Sequence, residues 1–342
     1  MKRILAGIVL LSVAMMPAWA GPVLDTVKAN GAVTCGLSTG ISGFATLDKN
    51  GKAAGLDADI CRAVSAAAFG TPDKVKFVAL AADQRVSALQ SGEVDLEVLD
   101  PALIAGRPGD LGLALAPAVF YDGAGFLVPK SLGVKSARQL SGAAVCLVKG
   151  TPDERHLIDY FHSNKLDLRS IAMKNEGEIE AAFFFGRCDA YMTDALSLAH
   201  VRIAKAPNPD DLAILPERIS KSGLAPALRN TDKGFYNLTR WVIYTLIEAE
   251  ERGVTARNVG DMAKSDDPGI KHLFSTEPDT EKALPADDKR AVNLIRAVGN
   301  YGEIFARNVG EQSPLRLARG QNALYLNTLG GQMLSPQAQN SD

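Results

Sequence analysis

The sequence predicts an α/β protein with two lobes of similar topology, each built from alternating strands and helices. Strand and helix patterns alternate over residues 31–99, and the alternation restarts after Phe126 and continues over 143–194. A short pattern, Leu or Phe followed by x-x-G-x-x-D, occurs once in each half, at 89–95 and at 183–189. In both copies a helix ends at glycine and leads into a strand that carries an aspartate. The same order of elements in both halves favours two lobes over a single core.

The N-terminus has the features of a secretory signal. Lys2 and Arg3 precede an apolar run over 4–16, and the small-residue pattern A-W-A ends at Ala20. The apolar run is too short to span a bilayer. We therefore expect cleavage after Ala20, with residues 1–20 as signal peptide, and export of the remaining, about 320-residue chain to the periplasm.

Within the first half, alternating β-branched residues and helical spacing of apolar residues predict five elements. They are strands over 31–38, 74–80 and 93–99 and helices over 55–70 and 83–92. The second half predicts strands over 143–148, 169–173 and 188–194 and helices over 152–164 and 176–186.

The last third of the chain changes character and is mainly helical. The clearest helices are predicted over 232–253 and 287–309, and the polar tail from 335 onward is expected to be disordered. We expect lobe 1 to consist of 21–126 together with 223–342, and lobe 2 of 127–222.

Composition excludes some classes of function. The chain has 37 basic and 39 acidic residues, a balance that does not indicate binding to nucleic acid or to an anionic membrane. The chain has four cysteines, Cys35, Cys61, Cys146 and Cys188. An even number of cysteines in an exported protein indicates disulfides. A zinc site is the competing interpretation, but no C-x-x-C pair occurs and the histidines lack ligand spacing. We expect no metal and no cofactor.

The motif GLSTG at 36–40 matches the nucleophile elbow of α/β-hydrolases, which would make Ser38 an acyl nucleophile. An elbow follows several strands and opens directly into a helix, whereas this motif follows the first strand and precedes a loop. We expect instead a loop that lines a pocket and offers Ser38, Thr39 and Phe44 as contacts. GAGF at 123–126 lacks the later glycine of a dinucleotide fingerprint, and no phosphate-binding loop occurs.

Two charged residues, one in each predicted lobe, are candidates for ligand binding. Arg107 lies in the stretch DPALIAGRPGD, where it stands among small apolar residues and turn formers, and Asp194 ends the predicted strand over 188–194. Both follow the carboxyl end of a strand, the edge at which open α/β sheets bind ligands. Arginine binds a carboxylate through two hydrogen bonds, and aspartate accepts hydrogen bonds from an ammonium. The pair predicts a clamp for a zwitterion, although each residue could instead belong to an ordinary surface ion pair.

The chain resembles the periplasmic general L-amino-acid binding proteins of polar amino-acid ABC importers, which are solute-binding proteins of family 3. The resemblance covers nearly the whole mature chain and all four cysteines. The segments that carry it include VTCGLSTGISGF, GLDADICRAVSAAAFGTPDKVKFVAL, ALQSGEVD, FYDGAGFLV, AAVCLVKGT, GRCDAYMTD and VGNYGEIFARNVGEQSPLRLARGQNAL. It implies a two-lobed periplasmic binding protein fold of type II, with a mixed sheet flanked by helices in each lobe and a hinge between the lobes. It also implies a monomer that delivers its ligand to an ABC importer permease.

The family's binding residues fall on positions of this chain. The carboxylate-binding arginine falls on Arg107, the ammonium-binding aspartate falls on Asp194, and Thr151 keeps a hydroxyl of the family pattern G-T-T-T-E. The family pattern R-N-T-T-W-T-x-S-R-D, however, is replaced at 99–108 by LDPALIAGRP, and 150–154 is GTPDE. Because several hydroxyls and an aromatic ring are missing, we expect a ligand less polar than glutamate or glutamine, or one that is not a standard amino acid.

Three further expectations follow from the resemblance. We expect the disulfides Cys35–Cys61 and Cys146–Cys188, because each pair then lies within one lobe. The changed pocket leaves a ligand sensor as an alternative. A dehydratase-like enzyme on the same fold is another, with Asp153 or Glu154 as its acid; both residues have a plainer role in the first turn of a helix.

Overall fold

The computed structural model describes residues 23–38, 43–47, 51–81, 83–104, 111–275, 289–325 and 330–335. The predicted signal peptide and the polar tail beyond 335 lie outside these residues. The strands are β1 Val33–Ser38, β2 Thr46–Leu47, β3 Ala53–Ala54, β4 Val75–Leu80, β5 Glu97–Leu99, β6 Leu113–Leu115, β7 Phe120–Asp122, β8 Ala124–Pro129, β9 Ala144–Val148, β10 Arg169–Met173, β11 Ala190–Asp194, β12 Leu212–Ile214 and β13 Ser222–Arg229.

α-Helices alternate with these strands along much of the chain. They are α1 Val23–Asn30, α2 Leu56–Phe69, α3 Arg85–Ser91, α4 Pro152–Ser163, α5 Glu176–Phe184, α6 Ala195–Lys205, α7 Lys233–Glu251, α8 Val259–Met262, α9 Pro268–Phe274, α10 Arg290–Val298 and α11 Tyr301–Asn308. The predicted alternation of strands and helices is confirmed, which establishes an α/β fold.

One lobe is organised around a five-stranded mixed sheet in the order β10-β9-β11-β8-β12. The first three of these strands run parallel to one another, and β8 and β12 add antiparallel neighbours. Two clusters of buried apolar side chains cover the two faces, one around Phe126 and Phe161 and the other around Tyr191 and Leu198. Burial on both faces explains why β8 and β9, within the sheet, are almost continuously apolar in sequence.

The other lobe contains parallel β1 and β4 and an antiparallel group in which β13 pairs with β5, β6 and β7. Its core joins α2, α7, α10 and α11, and Trp241 of α7 is 1% exposed within it. Helix α2 is buried on nearly every side, including at Asp57 and Asp59. Carboxylates held inside a helix layer need partners, because unpaired buried charge is costly.

The two lobes are joined where β7 becomes β8 and where the chain returns into β13. At Gly123 a side-chain Cβ would lie 2.1 Å from the carbonyl oxygen of Ser220, so only glycine allows the two connections to approach this closely. The returning segment is bonded to the outgoing one, because the Ala124 N–H donates to Ser220 Oγ at 2.9 Å. The two connections between the lobes therefore lie side by side and are hydrogen-bonded to each other.

The repeated pattern L/F-x-x-G-x-x-D has the same structural role in both lobes. Gly92 ends α3, and Gly186 follows the end of α5. Both glycines adopt left-handed backbone angles, with φ of 83° and 74°. The aspartates that follow accept hydrogen bonds from the neighbouring strand: Asp95 from Thr34 N at 2.9 Å and Asp189 from Ala144 N at 2.7 Å. The pattern therefore attaches each helix end to the start of the adjacent strand.

The prediction of one helix over 287–309 was wrong. Within the described residues this region forms α10 and α11, separated at Gly299, whose φ is 79°. Asn300 accepts a hydrogen bond from Glu303 N at 2.9 Å, and Glu303 Oε2 accepts from Asn300 N at 3.0 Å. This reciprocal capping box begins a new helix, so the apolar periodicity continued across a break.

The predicted strand over 93–99 is shortened to Glu97–Leu99, and before it Leu96 forms only an isolated parallel bridge with Cys35. Among the helices of the described ranges, none combines the length and apolar character that crossing a bilayer would need.

Candidate functional site

A cleft of about 190 Å³ lies where strand ends of the two lobes meet. It is lined by Ser38, Phe44, Asp57, Arg85, Val98, Asp100, Asp122, Asp194, Leu196, Ser197, Ser222 and Leu224. Three larger and more open depressions of about 510, 540 and 700 Å³ lie elsewhere on the surface. We favour the smaller cleft because β1, β5, β7 and β11 all end at or beside it, and ligands bind at such edges.

Asp194 ends β11 and directly precedes α6. Its side chain is exposed to the cleft and does not cap the helix that follows it. Burial of the surroundings, together with the negative charges of Asp122, Asp153, Asp100 and Glu176, raises the pKa of Asp194 to about 7. A carboxylate held among like charges at a helix N-terminus is suited to accept a positively charged group.

Asp122 and Asp100 line the same cleft but have partners in the protein. Asp122 accepts from the N–H groups of Gly123 at 2.8 Å and Ala195 at 3.1 Å. Asp100 accepts from Ala102 N at 2.8 Å and from Ser222 Oγ at 2.6 Å. Both carboxylates therefore organise the cleft wall, and both add negative charge to it.

Two charged side chains of the cleft lining, Asp57 and Arg85, are accompanied by Glu97, which pairs with Arg85; we call Asp57, Arg85 and Glu97 the floor cluster. Arg85 Nε lies 2.5 Å from Glu97 Oε1, and Arg85 Nη2 donates to the carbonyl oxygen of Val98 at 2.6 Å. Burial raises the pKa of Asp57 and that of Glu97, and the nearby Arg85 guanidinium opposes both shifts. Arg85 is thus the centre of a small, mostly buried charge network.

The structure brings together some of the predicted binding residues. Ser38 and Phe44 line the cleft with Asp194, and the Phe44 ring meets Phe120 edge-on, with 4.8 Å between centroids. Thr151 is not among the lining residues: its Oγ1 donates to the carbonyl oxygen of Val148 at 2.9 Å, before α4. Arg107 and Thr39 lie outside the described residues.

The predicted disulfides Cys35–Cys61 and Cys146–Cys188 are both present, with Cα separations of 6.4 Å and 5.9 Å. Each joins a strand to an element of the same lobe, since Cys35 lies in β1 and Cys61 in α2, whereas Cys146 lies in β9 and Cys188 just before β11.

The residues considered for an enzyme do not line the cleft within the described ranges. Asp153 lies 3.7 Å from His156 Nδ1 in the first turn of α4, and Glu154 accepts from Gly150 N at 3.0 Å. These contacts support their local role at the helix start. Among the described residues, no group of three or more His, Cys, Asp or Glu side chains is arranged to hold a metal ion.

Sequence reasoning missed Asp57, Asp100, Asp122 and Arg85. Asp57 lies in the first turn of α2, where a carboxylate commonly complements the helix dipole and so gives no sign of a binding role. Asp100 directly follows the predicted strand over 93–99, so its position at a strand end was the one signal in the sequence.

Two α/β lobes joined by paired connections, with an acidic cleft between their strand ends, define a two-lobed solute-binding protein. The chain belongs to the bacterial extracellular solute-binding proteins, family 3. The model of this family matches residues 33–309. It is 46% identical to the general L-amino acid-binding periplasmic protein AapJ of Rhizobium johnstonii, over 88% of this chain and 89% of that protein.

Two other relatives match most of their length. The chain is 41% identical to the glutamate/glutamine/aspartate/asparagine-binding protein BztA of Rhodobacter capsulatus, over 98% of both proteins. A solved periplasmic binding protein of an ABC transporter from Brucella ovis, with glutathione bound, superposes with a TM-score of 0.73 at 44% identity, covering 92% of this chain and 98% of that one. These close relatives are named as binding proteins, and family members are periplasmic.

Proposed function

We propose that this protein captures a small amino acid or related zwitterion in the cleft, closes over it by hinge motion, and passes it to an ABC importer permease. The observation that carries the proposal is the position of Asp194, at a strand end, exposed to the cleft, and surrounded by other carboxylates. Arg107 would hold the α-carboxylate and Asp194 the α-ammonium. The names of the relatives support this class of ligand.

The proposal also covers the lobe boundaries, the oligomeric state and the cellular location. Lobe 1 would consist of 21–126 and 223–342 and lobe 2 of 127–222, which agrees with the crossing at Gly123. The protein would act as a monomer in the periplasm after removal of residues 1–20. It would release its ligand unchanged, and the local contacts of Asp153 and Glu154 give no support to a catalytic role for either residue.

The proposal can be tested by identifying the ligand directly. Mass spectrometry of small molecules released from the denatured, freshly purified protein should reveal a zwitterion. A thermal-shift panel of the twenty amino acids and glutathione, followed by calorimetry, should give at least one amino acid whose binding is lost in Arg107→Ala and weakened in Asp194→Asn. Binding only of compounds that lack an amine, or consumption of a prephenate-like acid, would contradict the proposal.

A further inference from the structure

We infer that the floor cluster forms a cation subsite centred on Asp57, so that the ligand is a zwitterion with an additional ammonium or guanidinium group on its side chain. This inference rests on the proposed function, because it takes Arg107 and Asp194 to hold the two α-groups. It adds a third point of recognition in the same cleft.

Asp57 has the environment of an acceptor that lacks its donor. The residue is 3% exposed, lies in the first turn of α2 and lines the cleft. Its Oδ1 is buried and has no hydrogen-bond partner. Such a group carries the full cost of desolvation without a compensating hydrogen bond. A ligand cation that reached it would supply both the missing donor and the missing charge.

Arg85 neutralises this carboxylate only in part, because its guanidinium is already paired with Glu97. Its Nε pairs with Glu97 at 2.5 Å and its Nη2 with the carbonyl oxygen of Val98. Glu97 is 0% exposed, and its Oε2 also lacks a hydrogen-bond partner. Two carboxylates therefore share one guanidinium, and the floor cluster is one positive charge short of balance when both are ionised.

The rest of the cleft increases this deficit. Asp100, Asp122 and Asp194 also line it, and Arg85 is the one basic side chain among the described lining residues. A cleft lined by charges of one sign concentrates ligands of the opposite sign.

Ionisation of the floor cluster links binding to pH. Burial raises the pKa of Asp57 and of Glu97, and the facing charges are Arg85 and the two carboxylates themselves. A bound cation favours their ionised forms, so binding a basic ligand releases protons. Affinity for such a ligand should rise as the pH is raised.

The test compares ligands that differ in one charge. Calorimetry at pH 8 measures lysine against norleucine and arginine against citrulline. We expect each basic ligand to bind at least about 25-fold more tightly than its neutral counterpart, which is the lower end of 2–5 kcal/mol for a desolvated charge pair, converted at tenfold per 1.4 kcal/mol. Asp57→Asn should bring this ratio close to one.

Two further variants keep the test decisive. Glu97→Gln should also lower the ratio, because Arg85 is then available to neutralise Asp57. Asp59→Asn is the matched control on the same helix: Asp59 binds Arg62 and Arg307 and is not among the cleft-lining residues, so its loss should affect stability but not the ratio.

The outcomes separate the subsite from the proposed function. Equal binding of basic and neutral amino acids by the parent protein, or a ratio unchanged in both Asp57→Asn and Glu97→Gln, would overturn the subsite and leave the proposed function standing. Binding of 1,5-diaminopentane but of no amino acid would overturn the proposed function and support the subsite. Binding of none of these probes would overturn both.

Discussion

The Oδ1 atom of Asp122 accepts a hydrogen bond from the backbone N–H of Ala195 at 3.1 Å. Asp122 ends β7, which pairs with β13 in one lobe, whereas Ala195 begins α6, which packs on the five-stranded sheet of the other. A carboxylate from one lobe therefore caps a helix of the other, where the helix dipole favours negative charge. Because Asp194 immediately precedes α6, two carboxylates meet at one helix N-terminus.

This relationship predicts that Asp122→Asn lowers the pKa of Asp194 from about 7 toward its ordinary value. Asp122 contributes the largest of the charge effects that raise this pKa, second only to burial. The asparagine oxygen can still accept the bond from Ala195, so the helix start should survive. A carbon-13 NMR titration of the aspartate carboxyls measures the shift. Glu154→Gln, which does not contribute to this pKa, is the control and should leave it unchanged; an equal value in Asp122→Asn and the parent would contradict the prediction.

Asp194→Asn should stabilise the ligand-free protein while it weakens binding. The folded-state pKa of about 7 lies above the unfolded value of about 4, so the ionised carboxylate disfavours folding, and the cost develops as the pH rises from about 4 to 7. Because Asp194 is exposed to the cleft, we discount the effect to about 1 kcal/mol at pH 8, or a rise of about 2–4 °C in Tm.

Thermal melts at pH 8, 6 and 4 check this prediction, and the stabilisation should disappear at the lowest pH. Asp189→Ala is the control, since it removes the acceptor of the hydrogen bond from Ala144 N and should lower Tm at neutral pH. If Asp194→Asn gave a Tm at pH 8 equal to or below that of the parent, the carboxylate would not be under the electrostatic strain described.

The helices and strands were predictable where the spacing of apolar residues along the sequence fitted one type of element. Helix α2 and helix α7 show apolar residues at helical spacing and fall within one or two residues of the predicted bounds. The break at Gly299 was not predicted, because the apolar residues of α10 and α11 keep a helical spacing on both sides of it. At this break, the capping hydrogen bonds of Asn300 begin a new helix although the apolar spacing continues.

The site was predictable only in part. Asp194 and Ser38 could be placed at the cleft because strand ends converge there in α/β sheets. Asp57 could not, since a first-turn aspartate has an ordinary role and its missing partner is visible only in three dimensions. The expectation of a ligand less polar than glutamate or glutamine stays a prediction. The carboxylate-rich lining, which the sequence pattern did not indicate, favours a basic ligand instead.

Arg107→Ala should remove binding of any carboxylate ligand. Loss of one partner of a desolvated charge pair costs about 2–5 kcal/mol, or roughly 25-fold to several thousandfold in affinity. Circular dichroism should be unchanged if the arginine serves the ligand rather than the core. Calorimetry with the identified ligand measures the loss, and Arg187→Ala, at an exposed site in the other half of the chain, is the control. Parent-like affinity in Arg107→Ala would show that another group holds the carboxylate.

Removal of either disulfide should destabilise the protein without changing ligand preference, because both bonds lie within a lobe and away from the cleft lining. The bonds close loops with sequence separations of 26 and 42 residues, which correspond to about 3.5 and 4 kcal/mol of unfolded-state entropy. We expect the double variant Cys146→Ala/Cys188→Ala to lose slightly more than Cys35→Ala/Cys61→Ala in urea unfolding. Each is the other's control, and the parent under reducing conditions should approach the sum of both losses. A large change in the lysine-to-norleucine affinity ratio in either double variant would show that the disulfides also shape the cleft.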